Sequence, residues 1–254
     1  MKKISLIFIV FTGLFFTVNL CFSESDALGP KQIFSEVNAL YGQAKYGEAI
    51  NKYEELIVRG FESGNLYYNL GNCYFKANQL GKAILNYERA RRLMPRDSDL
   101  RSNYEYARSS VKRDIIHRLP FYERIVYNIT ENLTIDGVTV SLSVVYIFII
   151  LTIIAAIYLK PFKKYANFIV LVLIITFILC SIAFRNKINL LNREAIITVE
   201  NVEVKFEPSE KATTHFTLYE GMKVYVFPSN GDWCKVERPD GKIGWIKKSS
   251  FDLI

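Results

Sequence analysis

Hydrophobic and polar positions alternate in three different ways along the chain, and each pattern predicts a different kind of structure. Between residues 33 and 113, apolar residues recur every three or four positions, which is the spacing of amphipathic helices. Between residues 138 and 184 they form two nearly unbroken runs, and from residue 194 they fall in short β-branched or aromatic stretches. The sequence therefore predicts a multidomain membrane protein with a helical domain, a transmembrane helical hairpin and a small all-β domain.

The helical region repeats itself with a period of about 34 residues, which is typical of a helix-turn-helix unit. Tyr46, Ala49, Ile50, Tyr53 and Leu56 recur as Leu80, Ala83, Ile84, Tyr87 and Ala90. A unit of this length resembles the tetratricopeptide repeat. We place an α-helical solenoid within residues 30–118, with a degenerate copy at about 33–62, a clear copy at 64–97, and a capping helix after Pro95. The consensus positions of the clear copy are filled by Tyr67, Leu70, Gly71, Tyr74, Ala83, Tyr87, Ala90 and Pro95.

Arrays of such repeats present a concave surface to a peptide or protein, and helix spacing predicts which residues line it. In the clear copy these are Asn65, Tyr68, Asn72, Phe75 and Lys76, and in the first copy Lys31, Phe34, Asn38 and Tyr41. Asparagine side chains at these positions can bind the backbone of an extended peptide, and Lys76 can hold an acidic group. The alternative is a solvated helix face with no ligand. A surplus of basic residues in this region favours an acidic partner.

Two apolar stretches are long enough to cross a bilayer as helices. Residues 138–159 and 166–184 carry no charge, and residues 160–165 between them include three lysines. The lysines predict a cytoplasmic loop. Because neither stretch contains an Asp, Glu, Lys, Arg or His, a transporter or channel is disfavoured. Residues 119–137 are predicted to form an interfacial helix on the bilayer or, alternatively, a helix packed on the helical domain.

The N-terminus has the layout of a bacterial secretory signal. Lys2 and Lys3 precede an apolar run from Ile4 to Leu20, and Cys21, Phe22 and Ser23 follow it before the acidic Glu24. We predict a signal peptide at residues 1–23, with an uncleaved anchor as the alternative. A lipoprotein site at Cys21 is disfavoured because Leu20 is bulky. A translocated N-terminus followed by two crossings places both flanking domains on the periplasmic side of the inner membrane.

Residues 194–254 read as five short strands separated by turn signals, which predicts a small barrel. The order of its cues, from Gly221 through Gly231 and Trp233 to Gly244 and Trp245, resembles bacterial SH3 domains. That resemblance implies binding of cell-wall peptides or proteins without catalysis. Trp233 and Trp245 are candidates for an aromatic recognition groove, with barrel packing as the alternative reading.

The amino-acid composition limits which kinds of binding or catalytic site the chain can form. The chain has a net charge of +7, half of its residues are hydrophobic, and it holds two histidines and four cysteines. No paired-ligand or nucleophile–base spacing is present, so we predict no cofactor, no metal site and no enzyme activity. Cys73 and Cys234 read as small buried apolar groups, with a redox role as the less favoured alternative. Nucleic acid is a poor partner for an exported domain.

The combination of a signal peptide, tetratricopeptide repeats, a helical hairpin and an SH3-like barrel resembles the BatE-type proteins of the Bacteroides aerotolerance operon. The resemblance implies a non-catalytic inner-membrane scaffold in an aerotolerance or envelope-stress complex. It also implies that the partners are von Willebrand factor A-type membrane proteins of the same operon and a MoxR-type ATPase. The alternative function is a sensor that binds peptidoglycan through the SH3-like domain.

Overall fold

The computed structural model describes residues 28–113, 134–159, 163–228 and 231–254. The helices of these segments are α1 (Leu28–Gly42), α2 (Tyr46–Val58), α3 (Gly64–Lys76), α4 (Leu80–Leu93), α5 (Ser98–Ser109), α6 (Ile135–Tyr158) and α7 (Lys163–Leu191). The strands are β1 (Glu194–Ile197), β2 (Asn201–Lys205), β3 (Thr214–Tyr219), β4 (Lys223–Val226), β5 (Trp233–Glu237), β6 (Ile243–Lys247) and β7 (Phe251–Leu253). The predicted signal peptide, and the predicted interfacial segment up to residue 133, lie outside the described residues.

The first five helices form the predicted solenoid of helix pairs, and their start signals repeat with the same period as their apolar residues. The Ser63 side chain accepts a hydrogen bond from the Leu66 amide at the start of α3. The Asp97 carboxylate accepts one from the Leu100 amide at the start of α5, one repeat period further along the chain. Both are N-caps that satisfy an amide left unpaired by the first helical turn. The helix after Pro95 therefore begins as the first helix of a third repeat.

The turns inside the two repeats are also equivalent. Ala44 and Asn78, which are again separated by one repeat period, both have left-handed backbone conformations, with φ of 58° and 59°. Within the second pair, α3 and α4 cross closely at Gly71, where an added Cβ would lie 2.7 Å from the Tyr87 ring. A small residue is thus required at this crossing because the tyrosine fills the space beside it. The sequence-degenerate first copy has the same architecture as the second.

Helices α6 and α7 are long and apolar enough to cross a membrane. Their apolar windows, Asp136–Tyr158 and Lys164–Ile182, have mean hydropathies of 2.8 and 2.5, and only 6% of each window is buried within the protein. Their hydroxyl groups are satisfied inside each helix; for example, Thr152 and Thr176 donate to the carbonyl four residues earlier. Internal pairing of this kind is what a hydrocarbon environment requires. The two helices pack against each other as an antiparallel pair.

The C-terminal domain is an antiparallel sheet of seven strands in the order β3-β2-β6-β5-β4-β1-β7. The expected SH3-like architecture is confirmed, but the sheet contains β3 and β7 in addition to the five predicted strands. No backbone ladder joins β3 to β7 within the described residues, so the hydrogen-bonded sheet stays open. Its core consists of alternate residues that point to one side, namely Val204, Leu218, Val224, Cys234, Val236 and Ile246.

The sheet rests directly on the helical domain. Strand β1 packs against α4, and all four of its residues are buried. Gly221, in the turn before β4, lies so close to the helices that an added Cβ would meet Ile84 at 2.7 Å and Val111 at 2.8 Å. The two soluble domains therefore share one continuous hydrophobic core.

Candidate functional site

The predicted groove residues lie along the first helix of each pair. Asn38, Asn65 and Lys76 are exposed. Phe34, Tyr41, Tyr68, Asn72 and Phe75 are partly buried and form the floor beneath them. The side chain of Lys31 is not among those described. Helices α1 and α3 thus present an exposed polar edge above a partly apolar floor.

Two asparagines of the groove are held in equivalent ways. The Tyr53 hydroxyl donates to Asn38 Oδ1 at 3.1 Å, and the Tyr87 hydroxyl donates to Asn72 Oδ1 at 2.7 Å. Asn72 follows Asn38, and Tyr87 follows Tyr53, by one repeat period, so the same hydrogen bond forms in both repeats. Because each carbonyl oxygen accepts from a tyrosine, its amide nitrogen is oriented to donate toward a bound chain.

The third helix completes this network, and the sequence reading missed its contribution. Asn103 Nδ2 donates to Asn72 Oδ1 at 3.0 Å and to the Tyr68 hydroxyl at 2.8 Å. Tyr106 is 66% exposed and packs edge-on against Phe75, with ring centroids 5.6 Å apart. Tyr106 follows the predicted groove residue Asn72 by one repeat period, so continuing the period past Pro95 identifies it. Asn103 follows Asn69, which helix spacing does not select, so only the structure identifies Asn103.

The groove is chemically neutral at its floor. Burial raises the pKa of Tyr53 to about 12 and also raises the pKa of Tyr87. Burial raises the pKa of the Cys73 thiol to about 11, which disfavours the reactive thiolate and the redox role considered for this residue. These groups stay protonated near neutral pH. Tyr53, Tyr87 and Cys73, which lie beneath the floor, therefore offer no ionised nucleophile near neutral pH.

The opposite face of the repeats, formed by α4, is closed by the SH3-like domain through a buried ionic cluster. Lys223 Nζ lies 2.8 Å from Glu88 Oε1 and 3.4 Å from Glu194 Oε1. The Tyr104 hydroxyl also donates to Glu88. Burial opposes ionisation of Glu88, but Lys223 and Arg91 outweigh it and lower the Glu88 pKa. Burial likewise opposes charge on Lys223, and the neighbouring carboxylates raise its pKa.

Two arginines of α4 hold the far end of the chain. Arg92 donates to the carbonyl oxygens of Ile254 at 2.6 Å and Leu191 at 2.7 Å, and its Nη2 lies 3.2 Å from Glu194 Oε2. Arg89 donates to the Leu253 carbonyl at 2.8 Å. These bonds attach the end of α7, the start of β1 and the end of β7 to one helix.

A second candidate site lies on the sheet face that points away from the core. Trp233 and Trp245 belong to the alternate residues of β5 and β6 that the core does not use, and both are partly buried. Trp233 pairs with Lys247 and Trp245 with Lys235 in the register of the two strands. The Lys247 ammonium lies 5.9 Å from the centroid of the Trp233 ring. The structure thus places both tryptophans on one face, beside lysines.

No cluster of three or more His, Cys, Asp or Glu side chains suited to a metal ion occurs within the segments that the structure describes. A cavity of about 370 Å³ lies where the two soluble domains meet. It is lined by Ile57, Glu62, Tyr67, Arg89, Arg92, Leu93, Leu253 and Ile254. The guanidinium groups of both arginines already bind backbone carbonyls there, so the cavity wall forms part of the attachment between the domains.

Two family models match the chain. Residues 64–97 match the tetratricopeptide repeat, and residues 199–252 match the bacterial SH3 domain. No curated protein matches the chain. Both matched domains are of kinds that bind other molecules: tetratricopeptide repeats bind proteins, and bacterial SH3 domains are associated with binding to proteins or the cell wall.

Proposed function

We propose that this protein is a non-catalytic, membrane-anchored adaptor whose repeat groove binds an extended segment of a partner protein. The observation that carries the proposal is the difference between the two faces of the repeats. The α4 face is covered by the SH3-like domain, whereas the opposite face keeps Asn38, Asn65, Lys76 and Tyr106 exposed. An extended peptide can satisfy asparagine amides with its backbone while aromatic rings hold its side chains.

The cellular setting that we propose follows from the resemblance to BatE-type proteins. In this setting α6 and α7 anchor the chain in the bacterial inner membrane, and both soluble domains lie in the periplasm. The partners are von Willebrand factor A-type membrane proteins of the same operon, in an aerotolerance or envelope-stress complex. The positive charge of the loop between the two apolar helices supports this orientation.

Site-specific photo-crosslinking in cells tests the groove. A photoreactive amino acid at Tyr106 should form crosslinks to a partner, and Lys76→Glu should weaken them because it places a negative charge where an acidic segment would bind. The same amino acid at Lys242, which is exposed on the β5–β6 turn, serves as the control. Crosslinks that form equally from both positions, or that survive Lys76→Glu unchanged, would show that the groove is not the binding site.

Thiol labelling in intact cells tests the orientation separately. Lys45→Cys and Lys242→Cys place exposed cysteines on the helical and SH3-like domains. Both should react with a membrane-impermeant maleimide before the cells are lysed. Labelling of either cysteine only after lysis would place that domain in the cytoplasm.

The alternative function, binding of peptidoglycan through the SH3-like domain, is favoured by the two tryptophans on one sheet face. Flat aromatic rings beside cations suit amphipathic ligands such as sugars with acidic peptide stems. Sedimentation of the detergent-solubilised full chain with purified sacculi tests it. Retention that falls with Trp233→Phe but not with Tyr106→Phe supports the alternative, and the absence of any retention by the wild-type chain removes it.

A further inference from the structure

One row of side chains shares Lys235 and Trp245 with the second candidate site and extends from them across the sheet to Arg193. It consists of Arg193 just before β1, Phe227 just after β4, Lys235 in β5 and Trp245 in β6. We call it the cation–aromatic row. The Phe227 amide donates to the Lys235 carbonyl at 2.9 Å, and Lys235 is the register partner of Trp245. Neighbouring strands lie about 4.8 Å apart, so the row is about 14 Å long.

The two cations are held in place by the ring between them. The Arg193 guanidinium carbon lies 4.0 Å from the Phe227 ring centroid, and Lys235 Nζ lies 5.9 Å from it. Arg193 Nε also donates to the Val226 carbonyl at 3.2 Å. Within the part of the chain that the structure describes, neither cation has a carboxylate within ion-pair distance. The row therefore offers two positioned and uncompensated positive charges.

The position of the row along the chain indicates what these charges face. The apolar window of α7, Lys164–Ile182, covers the roughly 30 Å of hydrocarbon, and the nine helical residues after it extend about 14 Å further to Leu191. Arg193 follows the last residue of α7, Leu191, by two positions. Arg92 fastens the Leu191 carbonyl to α4, so the end of the helix and the sheet cannot separate freely. The row thus begins at the outer border of the headgroup layer, within the roughly 8–10 Å over which the charge of a lipid surface acts.

Cations beside aromatic rings are the side-chain chemistry of a membrane surface. Aromatic residues are enriched at the lipid–water boundary, and Lys and Arg are attracted to anionic headgroups. We propose that the cation–aromatic row is a docking surface for anionic lipid headgroups, which holds the SH3-like domain against the membrane from which α7 emerges. This inference rests on the proposed membrane anchoring by α6 and α7. It adds a second, electrostatic contact with the same membrane.

The two tryptophans of the chain provide a direct test. Trp233→Phe leaves Trp245, a member of the row, as the single fluorescent tryptophan. The full-length variant is reconstituted into nanodiscs that carry a nitroxide label on some headgroups. The discs contain either phosphatidylcholine alone or phosphatidylcholine mixed with phosphatidylglycerol. We expect the nitroxide to quench Trp245 more strongly in the discs with phosphatidylglycerol, and added salt to reverse the difference because it screens surface charges.

Lys235→Gln in the same background removes one cation without adding a charge. One cation at an anionic surface corresponds to about 1 kcal/mol, so the ratio of docked to undocked protein should fall about fivefold. Lys45→Gln, at an exposed position in the turn between α1 and α2, makes the same change in net charge and should leave the quenching unchanged. The emission spectrum in zwitterionic micelles and the circular dichroism spectrum verify that both variants are folded.

The outcomes separate this inference from the proposed function. Failure of the wild-type chain to co-elute with nanodiscs would contradict the membrane anchoring. Co-elution with equal quenching in both lipid mixtures would overturn the docking surface and leave the anchoring intact. Equal losses in Lys235→Gln and Lys45→Gln would also overturn it, because the attraction would then depend on net charge and not on the row.

Discussion

The two faces of the repeat domain use similar helices for opposite purposes. The α4 face is charged, buried and covered by another part of the same chain, with Glu88 and Lys223 paired beneath the sheet. The groove face is neutral at its floor and open, with Asn38 and Tyr106 exposed. The comparison shows that a contact within the chain can cover one face of a repeat domain and make that face inaccessible to partners. It also leaves the other face as the candidate for an external partner.

The two repeats sharpen the same comparison because they share a sequence period but differ in surroundings. Gly47 in α2 has no atom within 4 Å of an added Cβ. Gly81, at the equivalent position in α4, would place a Cβ 2.6 Å from the Ile197 carbonyl oxygen. The Gly81 amide also donates to Glu220 Oε1 at 2.8 Å. At this position of the repeat, a glycine is therefore required only in the second copy, where the sheet rests on the helix.

The largest effect is expected from Lys223→Met. This change removes the cation that Glu88 and Glu194 share and leaves each carboxylate with one arginine, Arg91 or Arg92. Because neither charge is left fully uncompensated, the expected cost is about 3 kcal/mol, the upper end for a lost hydrogen bond to a charged group. Lys248→Met, at an exposed position of the SH3-like domain, is the matched control and should change stability little. Chemical unfolding in detergent followed by circular dichroism measures both. A loss below about 1 kcal/mol for Lys223→Met would mean that the cluster does not hold the domains together.

The second effect is a dependence of stability on acid. The pKa of Glu88 is lowered in the folded protein, so the unfolded chain takes up a proton first as the pH falls below the ordinary value of 4.5. The stabilisation is therefore complete above that pH and is lost on further acidification, by about 1.4 kcal/mol for each unit of the pKa difference. Unfolding curves across this range should have a shallower pH dependence in Glu88→Gln. Identical slopes in the two proteins would contradict the charged state assigned to Glu88.

The third effect compares the equivalent glycines. Gly81→Ala should destabilise the protein by about 1–3 kcal/mol because the added methyl group overlaps the backbone of β1. Gly47→Ala should stabilise it by about 0.5–1 kcal/mol because alanine loses less backbone entropy in a helix. The shift in the midpoint of thermal unfolding of each single variant, relative to the wild type, measures both effects. Changes of the same sign would show that the sheet does not press on α4 in solution.

The smallest effect concerns the groove floor. Tyr87→Phe removes the hydroxyl that donates to Asn72 and should cost about 1 kcal/mol. Tyr106→Phe, in the same groove, alters an exposed ring and should leave stability unchanged. Crosslinking from the photoreactive amino acid at position 106 should remain in the Tyr87→Phe variant, since this change removes no exposed groove amide. A Tyr87→Phe variant as stable as the wild type would show that the asparagine is held by its other contacts alone.

Much of the fold was predictable because its signals are local. The repeat period identified the helix pairs, and the residues it selected, such as Tyr53 and Tyr87, are buried. Two predicted apolar helices and five of the strands are present. Strand β3 was missed although Phe216 and Leu218 alternate with His215 and Thr217, because this alternation covers only four residues. Strand β7 was missed because its three residues are shorter than a recognisable strand.

The candidate groove was predictable only in part. Asn38 and Asn72 were selected from helix spacing, and the structure adds that tyrosines in the following helices orient them. Asn103 and Tyr106 were not selected because the third helix was interpreted as a cap and not as the start of another repeat. Tyr106 follows Asn72 by one period, so its omission was an error of interpretation. Asn103 follows Asn69, which helix spacing had not selected, so the sequence carried no signal for Asn103.

The sequence alone determined the architecture of each part of this protein: the helix pairs, the apolar hairpin and the SH3-like strands all follow from spacing between near neighbours. Only the tertiary structure decided how the parts meet. The hydrogen bond from Arg92 to Ile254 joins residues 162 positions apart, and the bond from Gly81 to Glu220 joins residues 139 apart. Contacts between residues so far apart in the chain produce no periodic sequence pattern, because they depend on where the folded surfaces come together.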